Sequence, residues 1–344
     1  MGSSRSWPPV RRVSQRWLCV VRLLLGVGIL LGGRSSPLLA QANKAPGAAP
    51  AAPGAGNQPE DKSLSTEDGL KLAITYFPGT KGKESIPVIL LHAWKGSRQD
   101  FTKENGLAPY LQEKLGCAVV VPDLRGHGDS TSITKGDKVE TIKAEKLQPA
   151  QFAKMVPMDL RAVKDFLWAR NNAEELNLDK LCVVGIEMGA TLALDYAVYD
   201  SVGYEQGRAF YGPLKLGGFV KGVVLVSPDM NFRGLSMRLA LKSQLILKEL
   251  PVMILAGSKG NPRWLNDAHR LYEIFSHRPA AADDSKESKT LWYTPLDTSL
   301  QGIKLVDEAS LDVPKRIGQF IYYRLVKNPK AKDYGWQTLK LPHQ

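Results

Sequence analysis

A glutamate occupies the centre of a glycine-bounded turn, Gly185-Ile186-Glu187-Met188-Gly189, with the apolar run Leu181–Val184 before it and a helix-compatible stretch after it. Gly189, Ala193 and Ala197 place small residues on one face of that helix, which lets it lie close against a sheet. A carboxylate at such a bend has two uses. It can attack an electrophilic carbon to form an ester, which a histidine must then help water to break. Otherwise it is a partly desolvated anion that neighbouring donors or cations must satisfy. The five histidines decide between these uses. His343 lies in the C-terminal tail. His269 faces away from the apolar stripe Leu265, Ala268, Leu271, Tyr272 and Phe275, and His277 falls at the end of the same helix, where the dipole favours a surface cation. His92 and His127 remain, on loops expected at the C-terminal edge of a parallel sheet, where α/β sites gather. Each is expected to brace its loop, and either can approach Glu187. Arg125, Lys259 and Arg263 lie on loops at the same edge and can supply charge.

Such a site needs a scaffold that brings distant loops to one edge. From residue 62 onward, apolar runs of strand length alternate with segments of helical period, which predicts an α/β fold with a mainly parallel sheet of about eight strands and helices on both faces. Strands are expected near 70–77, 86–91, 117–122, 180–185, 219–226, 251–256 and 289–294, and helices near 100–115, 157–172, 188–200, 236–248, 262–276 and 307–327. The glycine-rich stretch 201–218 reads as an inserted loop. Cys117 and Cys182 sit inside strand-like runs and read as core. With no CxxC or clustered histidines, neither a metal nor a cofactor is expected.

The formal charge of +12 suggests an acidic partner until its distribution is examined. Six arginines precede residue 43, where there are no acids; without them 40 basic residues face 34 acidic ones. The run Lys135–Lys146 is interleaved with Asp137, Glu140 and Glu145, so nucleic acid is not an expected partner. Residues 1–42 read as an export signal: arginines, the apolar run Leu23–Leu31, then Leu39-Ala40-Gln41-Ala42 with small residues suited to cleavage. Arg22 interrupts the apolar stretch, leaving it short of the roughly 20 residues that cross a bilayer, so no stable membrane span is expected after cleavage. Residues 43–61 form an Ala/Pro/Gly-rich linker, 62–328 the folded domain and 329–344 a tail. The expected location is the periplasm or the medium.

Several segments resemble, in their joint order over residues 65–327, the α/β-hydrolase superfamily and its bacterial esterase-like members. They are Glu67-Asp68-Gly69-Leu70-Lys71-Leu72, the stretch Pro122–Ser130, Val226-Ser227-Pro228-Asp229 and Ala256–Pro262. The resemblance implies that Glu187 stands where the nucleophilic serine belongs. It also implies that the backbone N–H groups of Met188 and Trp94, the latter in His92-Ala93-Trp94, stand where the oxyanion hole forms. It places the triad acid at Gly260 or Asn261, and the base at Gln301 of Thr298–Gly302. Acyl transfer needs a nucleophile, a neutral imidazole and an orienting carboxylate, and an amide has no usable basicity.

These positions imply an exported, noncatalytic protein with no catalytic residues, the triad having degenerated at Glu187, Asn261 and Gln301. His92, Trp94, Glu187, Met188 and Gln301 are left as a polar plug or a pocket for a small-molecule ligand. The alternative is an ester or acyl hydrolase with a relocated site using Ser227 and Asp229, or with a carboxylate nucleophile as in the family's haloalkane dehalogenases and epoxide hydrolases. Nothing in the sequence names a protein partner.

Overall fold

The runs Pro87–Leu91, Ala118–Pro122 and Leu181–Ile186 are buried at every position, as strands must be when helices cover both faces of their sheet. The computed structural model describes residues 57–211, 217–260, 262–279 and 285–340, without the side chains of 204–211. The expected export signal, nearly all of the linker, Asn261 and the last four residues lie outside the described residues. Eight strands form one sheet: β1 (Glu60–Ser65), β2 (Lys71–Phe77), β3 (Pro87–Leu91), β4 (Ala118–Pro122), β5 (Leu181–Ile186), β6 (Val220–Val226), β7 (Val252–Gly257) and β8 (Leu291–Leu296). Their spatial order is β1-β2-β4-β3-β5-β6-β7-β8. β2 pairs antiparallel with β1 and β4, and every pairing from β4 to β8 is parallel. β1, at one margin, was not expected from the sequence because its alternating half-buried and exposed positions carry only one apolar residue, Leu64.

Six helices matter to the site: α1 (Leu107–Leu115), α2 (Arg161–Asn172), α3 (Met188–Tyr211), α4 (Pro262–Ser276), α5 (Gly302–Asp307) and α6 (Val313–Tyr322). Alternate residues of each strand feed two core layers. Ile89, Leu91, Val120 and Val183 pack with Leu167 of α2 and Leu192 and Tyr196 of α3. Val88, Leu90, Val119 and Val184 pack with Leu111 of α1 and Ile317 and Phe320 of α6. This period of two decides which strand residues can reach which helices.

Four expectations about helices are corrected. The helix expected at 100–115 is divided into Gln99–Thr102 and α1, because Gly106 is extended and a Cβ there would lie 2.3 Å from the Phe101 carbonyl oxygen. The expected loop at 201–218 is helical as far as Tyr211. Once α3 is anchored by packing, each added residue brings a hydrogen bond, and a glycine such as Gly203 costs only about 1 kcal/mol. The helix expected at 236–248 is replaced by the short strand pair Asn231–Phe232 and Leu235–Ser236, a 3-10 turn and a π turn. Arg233 and Gly234, at φ of 44° and 96°, close that pair and set the chain off in a direction no helix follows. The long helix expected at 307–327 breaks before Pro314, whose ring suits a first turn, after Asp312 at φ 52°.

Within α3, Asp195 is half-buried, and burial pushes its carboxyl up from 3.8 to about 7 with no hydrogen bond or ion pair among the described residues to oppose it. The folded protein therefore holds this proton more tightly than the unfolded chain. The resulting penalty is absent below about pH 4, grows as pH rises, and is complete above about pH 7. Asp195→Asn is expected to raise unfolding stability by about 1–2 kcal/mol at pH 8, allowing for partial solvation, and to leave it unchanged at pH 4. Urea unfolding at the two pH values measures this; an equal effect at both would mean the carboxylate is solvated.

Candidate functional site

β5 delivers Glu187 to the C-terminal edge of the sheet in a left-handed backbone conformation, φ 52°, which costs a non-glycine residue about 1–2 kcal/mol. The bend is held by its surroundings. The Glu187 N–H donates to the Val226 carbonyl of β6 at 2.9 Å, and the Ala190 N–H donates to the Glu187 carbonyl at 3.0 Å. Gly189 lets the first turn of α3 touch the end of β3: a Cβ there would lie 2.3 Å from the Leu91 carbonyl oxygen. The Glu187 carboxylate packs against Gly302, the first residue of α5, where φ is 60° and a Cβ would lie 2.2 Å from Glu187 Oε1. No described side chain donates a hydrogen bond to that carboxylate. Burial pushes its pKa up, nearby Asp229 adds to the effect, and Arg263 opposes it.

Gln301 is adjacent to Glu187 in space but engaged elsewhere. Its side-chain oxygen accepts from Ser227 Oγ at 2.8 Å and from the Gly257 N–H at 3.1 Å, while its nitrogen donates to the Gly257 carbonyl at 2.9 Å. Ser227, at φ 46° and fully buried, also accepts from the Gly302 N–H at 2.8 Å. One carboxamide and one hydroxyl thus tie the ends of β6 and β7 to the start of α5. This clamp is absent from the sequence reading, which has Ser227 only as a relocated nucleophile. Its partners are 44 to 75 residues apart.

His92 is buried; its Nδ1–H donates to the Ala93 carbonyl at 2.7 Å and its Nε2 accepts from the Leu124 N–H at 2.9 Å, so both nitrogens are spent on backbone. Burial, with His127 beside it, lowers its pKa to about 3. His127 Nδ1 donates to the Arg125 carbonyl at 2.9 Å, and its ring meets that of His92 edge-on at 5.0 Å. Neither imidazole hydrogen-bonds Glu187 among the described residues. Arg125, taken from the sequence as a source of charge for this edge, is instead spent on Asp68 and Asp159. Lys259 pairs with Asp297 at 2.7 Å, and Arg263 with Asp229 at 2.5 Å. Trp94 and Met188 keep backbone N–H groups with no acceptor among the described residues. The Trp94 ring has Arg233 4.3 Å and Lys95 4.6 Å from its centroid and Phe232 at 5.8 Å. Arg233 has no signal in the sequence, because its approach depends on the turn that replaced the expected helix.

The eight-stranded order, the bend after β5, and the loops after β3, β6 and β7 meeting around it make one arrangement. A family model for the α/β-hydrolase fold matches residues 86–244. The chain has the α/β-hydrolase fold. Its fold is similar to that of an esterase from Pyrococcus furiosus, 17% identical over 77% of this chain and 90% of the esterase, with a TM-score of 0.53. An esterase from the fungus Rhizomucor miehei is 15% identical over 78% of this chain and 84% of its own, with a TM-score of 0.51. A Pyrobaculum calidifontis esterase is 14% identical over the same shares, also with a TM-score of 0.51. At such identities the likeness is one of fold. No curated protein matches the chain in sequence. Among the described residues of this hydrolase fold, no cluster of His, Cys, Asp and Glu suits a metal ion, and no helix is long and apolar enough to cross a membrane.

Proposed function

We propose that this α/β-hydrolase-fold protein is exported and noncatalytic, with the family's ester-cleaving site rebuilt as a polar plug on one side and a small-ligand pocket on the other. The observation that carries this reading is the clamp on Gln301. At the position the family gives to a histidine stands a carboxamide whose oxygen and nitrogen are both committed to Ser227 and Gly257. An amide cannot accept the proton that a hydroxyl or water must lose. Glu187 has no imidazole partner among the described residues, and burial, with Asp229 beside it, disfavours its charged form, so nothing there prepares it to attack or to activate water. The Ser227–Asp229 alternative lacks a base, since Ser227 donates to an amide oxygen and Asp229 pairs with Arg263. The N–H groups of Trp94 and Met188, without an acceptor among the described residues, favour a ligand that presents an oxygen acceptor. Export rests on the composition of residues 1–42.

Purified full-length protein is expected to hydrolyse short p-nitrophenyl esters at the buffer rate and to remain unlabelled by a fluorophosphonate probe. Turnover well above background that disappears in Glu187→Ala would establish the carboxylate mechanism instead. Labelling that disappears in Ser227→Ala would establish the relocated serine.

A further inference from the structure

A second recess lies at the other end of the sheet. Its volume is about 640 Å³, within the range of small-molecule sites. It opens where Val220 begins β6, Pro251 leads into β7 and Thr290 leads into β8, at the N-terminal ends of these parallel strands. Glu187 follows β5 at the opposite edge, one strand length or roughly 20 Å away, so the recess is not part of the site already described.

Its floor carries positive charge that no carboxylate among the described residues neutralises. Arg324 lines the recess and is only 5% exposed. Its Nη1 donates to the Glu287 carbonyl, its Nε is buried without a partner, and no carboxylate pairs with it among the described residues. Directly behind the wall, Arg278 donates to the carbonyls of Leu250 at 2.7 Å, Ile246 at 2.6 Å and Thr290 at 3.3 Å, and its Nε is also buried without a partner. Among the described residues, two guanidinium groups are therefore held by neutral carbonyls, an arrangement that is costly until an anion arrives. Burial lowers the pKa of both, Arg278 to about 10, which marks surroundings short of negative charge. Among the described residues of the lining, Lys248 and Lys330 add charge, Lys221 is paired with Asp179, and Glu249 is the one carboxylate. Leu245, Leu250 and Pro251 make the rest of the wall apolar.

We propose that this recess binds a small organic oxyanion, with its carboxylate or phosphate on Arg324 and its apolar body against Leu245, Leu250 and Pro251. A guanidinium fork matches the oxygens of either head group, and an apolar wall rewards a ligand with a hydrocarbon or aryl body.

The test is calorimetric titration of full-length protein with octanoate, phenyl phosphate, inorganic phosphate and octanol. Saturable binding of octanoate or phenyl phosphate, at least tenfold tighter than that of octanol and of inorganic phosphate, is expected, and the tighter of the two assigns the head group. Lys248→Glu with Lys330→Glu, both at the lining and away from the folding core, is expected to weaken that binding at least tenfold while the circular dichroism spectrum is unchanged. Arg324→Lys, which keeps the charge and loses the fork, is expected to weaken it less than Arg324→Met does. No saturable binding by either organic anion, octanol or inorganic phosphate binding equally well, or affinity indifferent to the lysine reversal would each overturn the proposal.

Discussion

Replacing Arg125 with methionine is expected to destabilise the protein by about 3–5 kcal/mol at pH 8, and by less at pH 5. The guanidinium is 1% exposed and serves two carboxylates at once. It makes paired bonds to Asp68 at 2.8 and 2.9 Å, and bonds to Asp159 at 2.6 and 3.3 Å. Removing it strands Asp159, which is fully buried, while Asp68 keeps Lys154 at 3.1 Å. Burial already pushes the Asp159 carboxyl up to about 7 against the pull of Arg125. Asp68 lies well below its ordinary value: burial opposes this, but the bonds from Arg125 and Thr66 prevail.

Asp68 contributes stability above its unfolded pKa, and the variant forfeits much of it. Asp159, whose folded pKa is raised, weakens the fold as pH climbs from about 4 through 7, and without Arg125 that decline continues above 7. The difference between the two proteins must therefore widen with pH, which urea unfolding across pH 5–8 measures. Arg125→Met combined with Asp159→Leu should recover most of the loss, because an apolar pair of similar volume needs no counter-charge. A loss that is flat with pH would show that Asp159 is neutral throughout.

Gly189→Ala is expected to cost at least about 3 kcal/mol, more than any side-chain rearrangement can relieve. The added methyl would lie 2.3 Å from the Leu91 carbonyl oxygen, 2.8 Å from its carbon and 2.9 Å from the His92 oxygen, all of them backbone atoms. β3 and α3 would have to separate, and with them the loop that carries Trp94. Gly222→Ala is the control. There a methyl meets the Phe320 ring edge at 3.3 Å, which a small ring movement accommodates, so the effect should stay within about 1 kcal/mol. Thermal unfolding of the two variants separates a backbone contact from a side-chain one; similar losses would mean that the turn after Glu187 is looser than its packing indicates.

The sheet was legible in the sequence because buried parallel strands are runs of valine, isoleucine and leucine bounded by turns, and β3 to β7 are of that kind apart from Lys221 near the start of β6. The bend at Glu187 was legible for a related reason: Gly185 and Gly189 are needed where helix and strand backbones meet. What the sequence hid was direction and partnership. Nothing in Gln301 itself says that its amide turns toward Gly257, or that Ser227 receives it. Arg125 looked like a free cation at the site edge because Asp68 and Asp159 are 57 and 34 residues away along the chain. Helix boundaries were misread where local composition and tertiary packing disagree, as in α3, which runs through glycines once the rest of it is held.

The sheet's outer margins shape how this molecule meets its neighbours. β8 carries Pro295, which removes one amide hydrogen from the last strand, and β1 carries Glu60, Asp61 and Lys62 in succession. Unprotected margins invite strands of other copies to add themselves and polymerise, and an imino acid at one border with charges at the other discourages that.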